Sequence, residues 1–394
     1  MCTKTLLLCS LLLPTLSLAE TPDLESLYKT IQKQQAEIEA LQNQTQQQEG
    51  RLNQTADLFE QKSTGTSAHI GGYGEIHYNN LNDQAGTANK TEWDFHRFVL
   101  MVSKEFSDKT RFFAELELEH SLAGEGKKGE MELEQAYIEH DLSPSQHLKL
   151  GLFLVPVGLM NETHEPNTFY GVERNPVENN IVPTTWWEGG LALNGEIGAG
   201  FSYDAAVTSG LYVDTATGKY KIRDGRQKVS SARGDDQAFT TRLKYTGVKG
   251  LEVGLTMQYQ EDLTQGTGSK EIGARLAETH VEYQIDGFAL RALYARWDIN
   301  DVINTVKSGA AVQSGWYLEP SYRINEQWGV FARYNTWDNQ ADDSSDSAME
   351  QIDLGFNYWI HPNVVVKLDL QDQNPETKGA TELDGFNLGA GWSF

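Results

Sequence analysis

The sequence predicts an all-β fold, a sixteen-stranded antiparallel transmembrane β-barrel with an N-terminal α-helical coiled-coil segment. Three observations lead there: hydrophobicity alternates with period 2 from His69 onward, connection lengths alternate with strand parity, and the last alternating stretch closes on Phe394.

The first residues carry one positive charge, Lys4, then an apolar run from Leu6 to Leu13 and small residues at Ser17 and Ala19. This is the layout of an export signal, so residues 1–19 are expected to be removed. Cys2 and Cys9 lie inside that segment, and Glu20 stands where lipidation would need Cys. Neither a disulfide nor a thiol metal site is then expected in the mature chain.

Residues 20–61 read as a coiled coil. Leu24, Ile31, Ile38, Thr45, Leu52 and Phe59 recur every seventh position, with Leu27, Gln34, Leu41, Gln48 and Thr55 three residues after the first five. Such a narrow apolar stripe calls for further copies of itself. Residues 62–68 form a Ser/Thr/Gly linker, and 69–394 the barrel domain.

The formal charge is −24, one unit more negative once Lys4 is removed, which argues against nucleic-acid binding because that needs a basic face. After the signal, no apolar run approaches the roughly 18–20 residues of a membrane helix. A membrane crossing must then use a closed barrel, in which every peptide group finds a partner.

The alternation is cleanest in Leu251-Val253-Leu255-Met257-Tyr259 and in Val364-Val366-Leu368-Leu370, each interleaved with polar residues. Strands are expected near 69–80, 93–105, 110–120, 130–141, 147–155, 188–196, 200–209, 237–246, 251–260, 275–284, 288–298, 311–324, 328–337, 347–360, 364–373 and 384–394. Links after even strands are short, such as Ile285 to Gly287; links after odd strands are longer, and two approach thirty residues. Soluble sandwiches have no reason to sort loops by parity, whereas bacterial barrels have tight periplasmic turns and long outer loops. The coiled coil is thereby placed in the periplasm.

The final strand, Gly385 to Phe394, resembles the insertion signal of outer-membrane barrels. Together with the coiled coil and the first strand Ile70-Gly71-Gly72-Tyr73-Gly74-Glu75, the sequence resembles the phosphate-selective porin O/P family. The resemblance implies a trimeric bacterial outer-membrane porin, in contact with lipid and lipopolysaccharide, that passes small polar or ionic solutes, with anions such as phosphate among them. No phosphate-site residue matches individually, and the acidic charge departs from the family's basic pore.

Alternate polar positions give the expected pore lining. The bases are Arg97, Arg111, Lys149, Arg242, Lys244, Arg291, Arg323, Arg333 and Lys367; Arg111, Arg323 and Arg333 are the three expected to govern selectivity. The acids are Glu75, Glu115, Glu117, Glu119, Glu196, Asp204, Glu252, Glu278, Glu282, Glu319, Asp353 and Asp369. Mixed rings of this kind set up a field across a pore that orders water and filters solutes. The connection 156–187 is long enough to fold inward as a constriction loop. It brings Glu162, His164, Glu165, Glu173, Arg174 and Glu178, with four carboxylates expected to face the wall bases. Trp186-Trp187 at its end has the look of aromatic anchoring at the membrane interface.

A barrel enzyme and a loop-bearing adhesin or receptor are the alternatives. The histidines show no metal spacing such as His-Glu-x-x-His, and Gly71-Gly72-Tyr73-Gly74 lies in a strand with no helix after it. No cofactor is expected. Glu119-His120 and Glu139-His140, at matching ends of neighbouring strands able to bring them together, are read as rim charge.

Overall fold

The computed structural model describes residues 68–394, except 85, 87, 125–127, 345–346 and 378. The chain divides into two units, Met1–Gly65 and Thr66–Phe394. The expected signal peptide and coiled coil lie outside the described residues.

Sixteen strands follow in order: β1 (His69–Asp83), β2 (Lys90–Ser107), β3 (Thr110–Glu119), β4 (Met131–Ser143), β5 (Gln146–Leu154), β6 (Trp187–Gly198), β7 (Phe201–Thr208) and β8 (Ala238–Tyr245). They continue as β9 (Leu251–Gln260), β10 (Ala274–Ile285), β11 (Phe288–Ile299), β12 (Val312–Arg323), β13 (Trp328–Asp338), β14 (Met349–His361), β15 (Val364–Pro375) and β16 (Leu383–Ser393). Each pairs antiparallel with its neighbours, and β16 returns to β1 to close the barrel. At the seam the amides of Gly72 and Phe394 each donate to the other's carbonyl at 2.9 Å, and the Phe394 ring stacks on Phe98.

The short links obey hairpin chemistry. Ile285 pairs with Phe288 across Asp286-Gly287, whose φ values of 45° and 84° are both left-handed. An Asp-Gly pair tolerates that geometry, and its twist matches the strands it joins.

Alternation along the strands sorts side chains between two solvents. Leu116, Leu150, Leu191, Phe239, Leu255, Met257, Leu354 and Leu370 are exposed on the outer face, as a lipid-facing belt requires. Aromatic pairs stand along the outside, Tyr78 with Trp93 near the long-loop rim and Trp328 with Tyr358 near the short-turn rim.

The inner face is not polar throughout. Leu276 on β10, Leu293, Ala295 and Trp297 on β11 and Tyr317 on β12 are buried in one apolar cluster with Val177, Ile181 and Trp186 from the connection after β5. Trp186 is 0% and Trp187 4% exposed, so this pair is not an interfacial anchor. Trp186 packs against Trp297, and its Nε1 donates to Glu188 at 2.9 Å, which gives its polar edge a partner inside the barrel. Glu119-His120 and Glu139-His140 are also not neighbours: β4 runs antiparallel to β3 and sets Glu139 beside Arg111 and His140 beside Thr110, at the opposite rim from Glu119.

Leu255 tests the assignment of the outer face. Leu255→Arg is expected to cost about 2–4 kcal/mol of folding free energy in lipid vesicles, as a charge at mid-bilayer does. Urea unfolding monitored by Trp fluorescence measures it, and a cost near zero would place Leu255 away from lipid.

Candidate functional site

The connection between β5 and β6, residues 155–186, lies within the lumen. Its neck is closed by Asn161, whose Nδ2 donates to the carbonyls of Val155 and Trp186 while its Oδ1 accepts from the Trp186 amide at 2.7 Å. Its interior is organised by Glu178, within the short helix α1 (Val177–Asn180). One Glu178 oxygen accepts from the amides of Leu159 and Met160, both at 2.7 Å; the other accepts from Asn175 and from the Tyr317 hydroxyl of the wall. Glu178 is fully buried, and its hydrogen bonds go to backbone amides, Asn175 and Tyr317 and to none of the expected wall bases.

The loop is tied to the wall largely through its backbone. Arg291 on β11 donates to the Thr168 carbonyl at 3.2 Å, Asn357 on β14 to Phe169 at 3.0 Å, Arg333 on β13 to Tyr170 at 3.4 Å, and Lys367 on β15 to Gly171 at 2.9 Å. Four consecutive carbonyls are thus held by four strands. Asp369 then accepts from the Val172 amide at 2.6 Å, and Arg97 on β2 donates to the His164 carbonyl at 2.6 Å. Gly171 permits this seat: its φ is +84°, and a Cβ there would meet Phe331 at 3.3 Å and Arg333 at 3.4 Å.

Side-chain ties complete the attachment. Glu162 bonds Arg242, which also meets Asp204 at 2.8 Å. Glu173 accepts from Asn79 at 2.9 Å and lies 3.4 Å from His77 and 3.8 Å from Lys90. His164 donates from Nδ1 to the Asn161 carbonyl, and its Nε2 lies 3.7 Å from Glu115 and 3.6 Å from Glu134. Burial alone would lower its proton affinity, but the two carboxylates outweigh burial and raise its pKa to about 9. Glu165 contributes its carbonyl to Thr168. The expectation of four carboxylates facing wall bases therefore reduces to Glu162 on Arg242, with Glu173 meeting His77 and Lys90.

Most of the wall bases are engaged. Arg97 pairs with Glu75 at 2.5 Å, Arg333 with Asp353 at 3.0 Å and Glu319 at 3.1 Å, and Arg291 with Glu282 at 3.2 Å. Arg111 is held by Glu139 and Asp141 near the short-turn rim, where Lys149 also lies 3.8 Å from Glu139. Lys244 lies 3.8 Å from Glu252. Arg323 donates to the Asn325 and Glu326 carbonyls and sits 3.5 Å over the Trp359 ring.

Beside the loop lies a cavity of about 350 Å³ with charges of both signs on its walls. Glu117 and Glu119 of β3 and Glu132 and Glu134 of β4 line it, as do Arg174 of the loop and Arg223, Arg226 and Lys228 of the long connection after β7. Lys228 pairs with Glu130 at 2.9 Å and with Glu132. Among the described residues Arg174, Arg223 and Arg226 form no ion pair, and the Nε atoms of Arg174 and Arg223 are buried without a hydrogen-bond partner. Burial and the neighbouring Arg223 bring the Arg226 pKa down to about 10, and burial and Arg97 lower that of Arg174. These guanidinium groups crowd one another.

Sequence reading missed Arg223 and Arg226, which lie on a connection with no alternation to expose them. It missed Glu134 because β4 bulges there: Glu115 pairs with Gln135 and Leu116 with Leu133, so Glu134 is the extra residue.

A closed barrel with a long loop seated inside is the build of an outer-membrane diffusion channel. The model of the Gram-negative porins matches residues 54–378, and the chain belongs to that family. Solutes therefore cross the bacterial outer membrane through it by passive diffusion. An uncharacterized protein of Aquifex aeolicus (strain VF5) is 29% identical over 356 residues, 82% of this chain and 79% of that protein. The fold is similar to that of the anion-selective porin from Comamonas acidovorans, at 12% identity and a TM-score of 0.61 over 83% of this chain and 99% of that one. It is similar too to the trimer form of in-vitro-folded OmpT, an outer membrane protein of Vibrio cholerae, at 11% identity and a TM-score of 0.55 over 83% and 99%.

His164 gives the loop attachment a pH signature. Its folded pKa lies above the ordinary 6.5, so its contribution is complete below about pH 6.5 and is lost as pH rises through about 9. Melting temperature followed from pH 6 to 10 should show this fall in the native protein and a smaller one in His164→Gln. Identical profiles would remove His164 from the attachment.

Proposed function

We propose that this porin is a narrow channel for small polar solutes that favours compact anions and zwitterions at its constriction. The carrying observation is the charge beside the loop: Arg174, Arg223 and Arg226, which form no ion pair among the described residues, and Glu117, Glu119, Glu132 and Glu134 on the strand wall. Guanidinium groups that are uncompensated concentrate anions, and opposed charges orient dipolar solutes in transit. On this reading residues 155–186 form the constriction, with Arg97, Arg242, Arg291, Arg333 and Lys367 acting as its anchors and Arg111, Lys149, Lys244 and Arg323 as charges of the wall. Resemblance to the phosphate-selective porin O/P family points toward anions as well, and the anion-selective porin of Comamonas acidovorans has a similar fold. The role is that of a passive channel with no catalytic step.

Selectivity is then governed by bases other than Arg111, Arg323 and Arg333, because those three are held by carboxylates, carbonyls or an aromatic ring. Replacing Arg174, Arg223 and Arg226 together with Ala should move the reversal potential across a bilayer under a KCl gradient toward cations. Arg111→Ala with Arg323→Ala should move it less. An equal or larger shift in the second variant would overturn the assignment.

We further propose a homotrimer whose residues 20–61 form a periplasmic coiled coil after removal of 1–19. The heptad pattern supports the coil, and the similar OmpT of Vibrio cholerae is described in a trimer form. Deleting 20–61 should leave a folded barrel whose trimer dissociates at lower temperature on unboiled gels; an unchanged dissociation temperature would show that the coil plays no part in assembly.

A further inference from the structure

Among the described residues three groups of His and carboxylate side chains bring potential ligand atoms within 4.8 Å of one another: Asp94-His96-His120, Glu115-Glu134-His164 and Glu139-Asp141-His147. Two of them already have occupants. His164 joins Glu115 and Glu134 in seating the loop, and the third group is neutralised by Arg111 and Lys149. Among the described residues Asp94 has no Lys or Arg partner; its carboxylate meets His96 Nδ1 at 3.2 Å and His120 Nδ1 at 2.7 Å.

We propose that Asp94, His96 and His120 form a binding site for a divalent transition-metal cation of the zinc class, on the long-loop side of the lumen. Four-coordinate zinc holds N and O ligands at about 2.0–2.1 Å, which puts neighbouring ligand atoms roughly 3.3 Å apart. The two imidazole-to-carboxylate separations, 3.2 and 2.7 Å, lie at and somewhat below that spacing, so a cation entering the group displaces ring protons and parts the side chains only slightly. Two imidazoles and one carboxylate suit zinc, nickel or copper ahead of calcium or magnesium, which prefer oxygen. The fourth position is left to water or solute, since His96 borders the cavity.

The support around the ligands is that of a prepared site. His96 stacks on His77 with ring centroids 4.5 Å apart and planes 15° apart, and His77 is itself held by Glu75 at 3.3 Å and Glu173 at 3.4 Å. Such outer contacts fix the ring planes of metal-binding histidines. Backbone irregularity assembles the group. Glu75 pairs with Arg97 but His77 with Asp94, so β2 carries an extra residue and breaks its alternation beside His96. His120 follows β3 in a left-handed conformation with φ 49°, its amide donating to the His96 carbonyl at 3.2 Å. Spacing along the chain does not reveal the group because its members come from β2 and from the turn after β3.

The site would bind whether or not the cavity sets selectivity, so its test stands apart from the channel reading. Zinc chloride titrated calorimetrically into the purified full-length protein in detergent should bind at one equivalent per chain. His96→Ala and Asp94→Asn should each weaken that binding at least about tenfold, while His147→Ala should leave it unchanged. His120→Gln, placed after the end of β3, carries the same expectation should a strand variant fail to fold, which heat-modifiable gel migration reports. Binding that is indifferent to His96 and His120, or that is lost in His147→Ala instead, overturns the proposal.

Discussion

Lipid offers a peptide group no hydrogen-bond partner, and the pairing of β16 with β1 is how this chain meets that constraint. Closure leaves no strand edge within the membrane. It also forces the alternation of side chains to face two different solvents, so Leu255 and Met257 stand in lipid while Thr256 and Gln258 are buried on the other side. Sixteen strands enclose more space than inward side chains fill, and the room is taken by a loop. Everything specific to the site follows from how that loop is held.

Its attachment divides the lumen. Against β10 to β12 the loop packs through an apolar cluster around Trp186 and Trp297, where burial favours contact without directionality. Against β1 to β4, β8 and β13 to β15, and at Arg291 of β11, it is placed by charge-assisted hydrogen bonds, where removing one partner would leave a buried charge unpaired. The cavity remains beside the second side, so the charged wall borders the passage and the apolar wall supports it.

The strands were the legible part of this sequence because their periodicity is imposed by lipid on every one of them. The expected span of β9, 251–260, is the observed one, and the other strands differ only at their ends. Departures fall where a local rule overrides period 2. The bulge at Glu134 adds an inward carboxylate that counting assigns nowhere, and the one in β2 similarly brings His96 to the lumen cluster. Trp186-Trp187 followed interior packing in place of the interface, since an indole in a long loop carries no record of which apolar surface it meets. The loop bases Arg223 and Arg226 lie on a chain segment whose course no periodicity encodes.

The ties at Thr168, Phe169, Tyr170 and Gly171 have a consequence for divergence. A carbonyl is the same acceptor whatever side chain accompanies it, so Arg291, Asn357, Arg333 and Lys367 recognise the path of the chain and are indifferent to most of its letters. Gly171 is the exception, bound by its left-handed backbone. A lineage could therefore exchange residues along the loop, and with them the chemistry presented to a passing solute, without re-engineering the mooring.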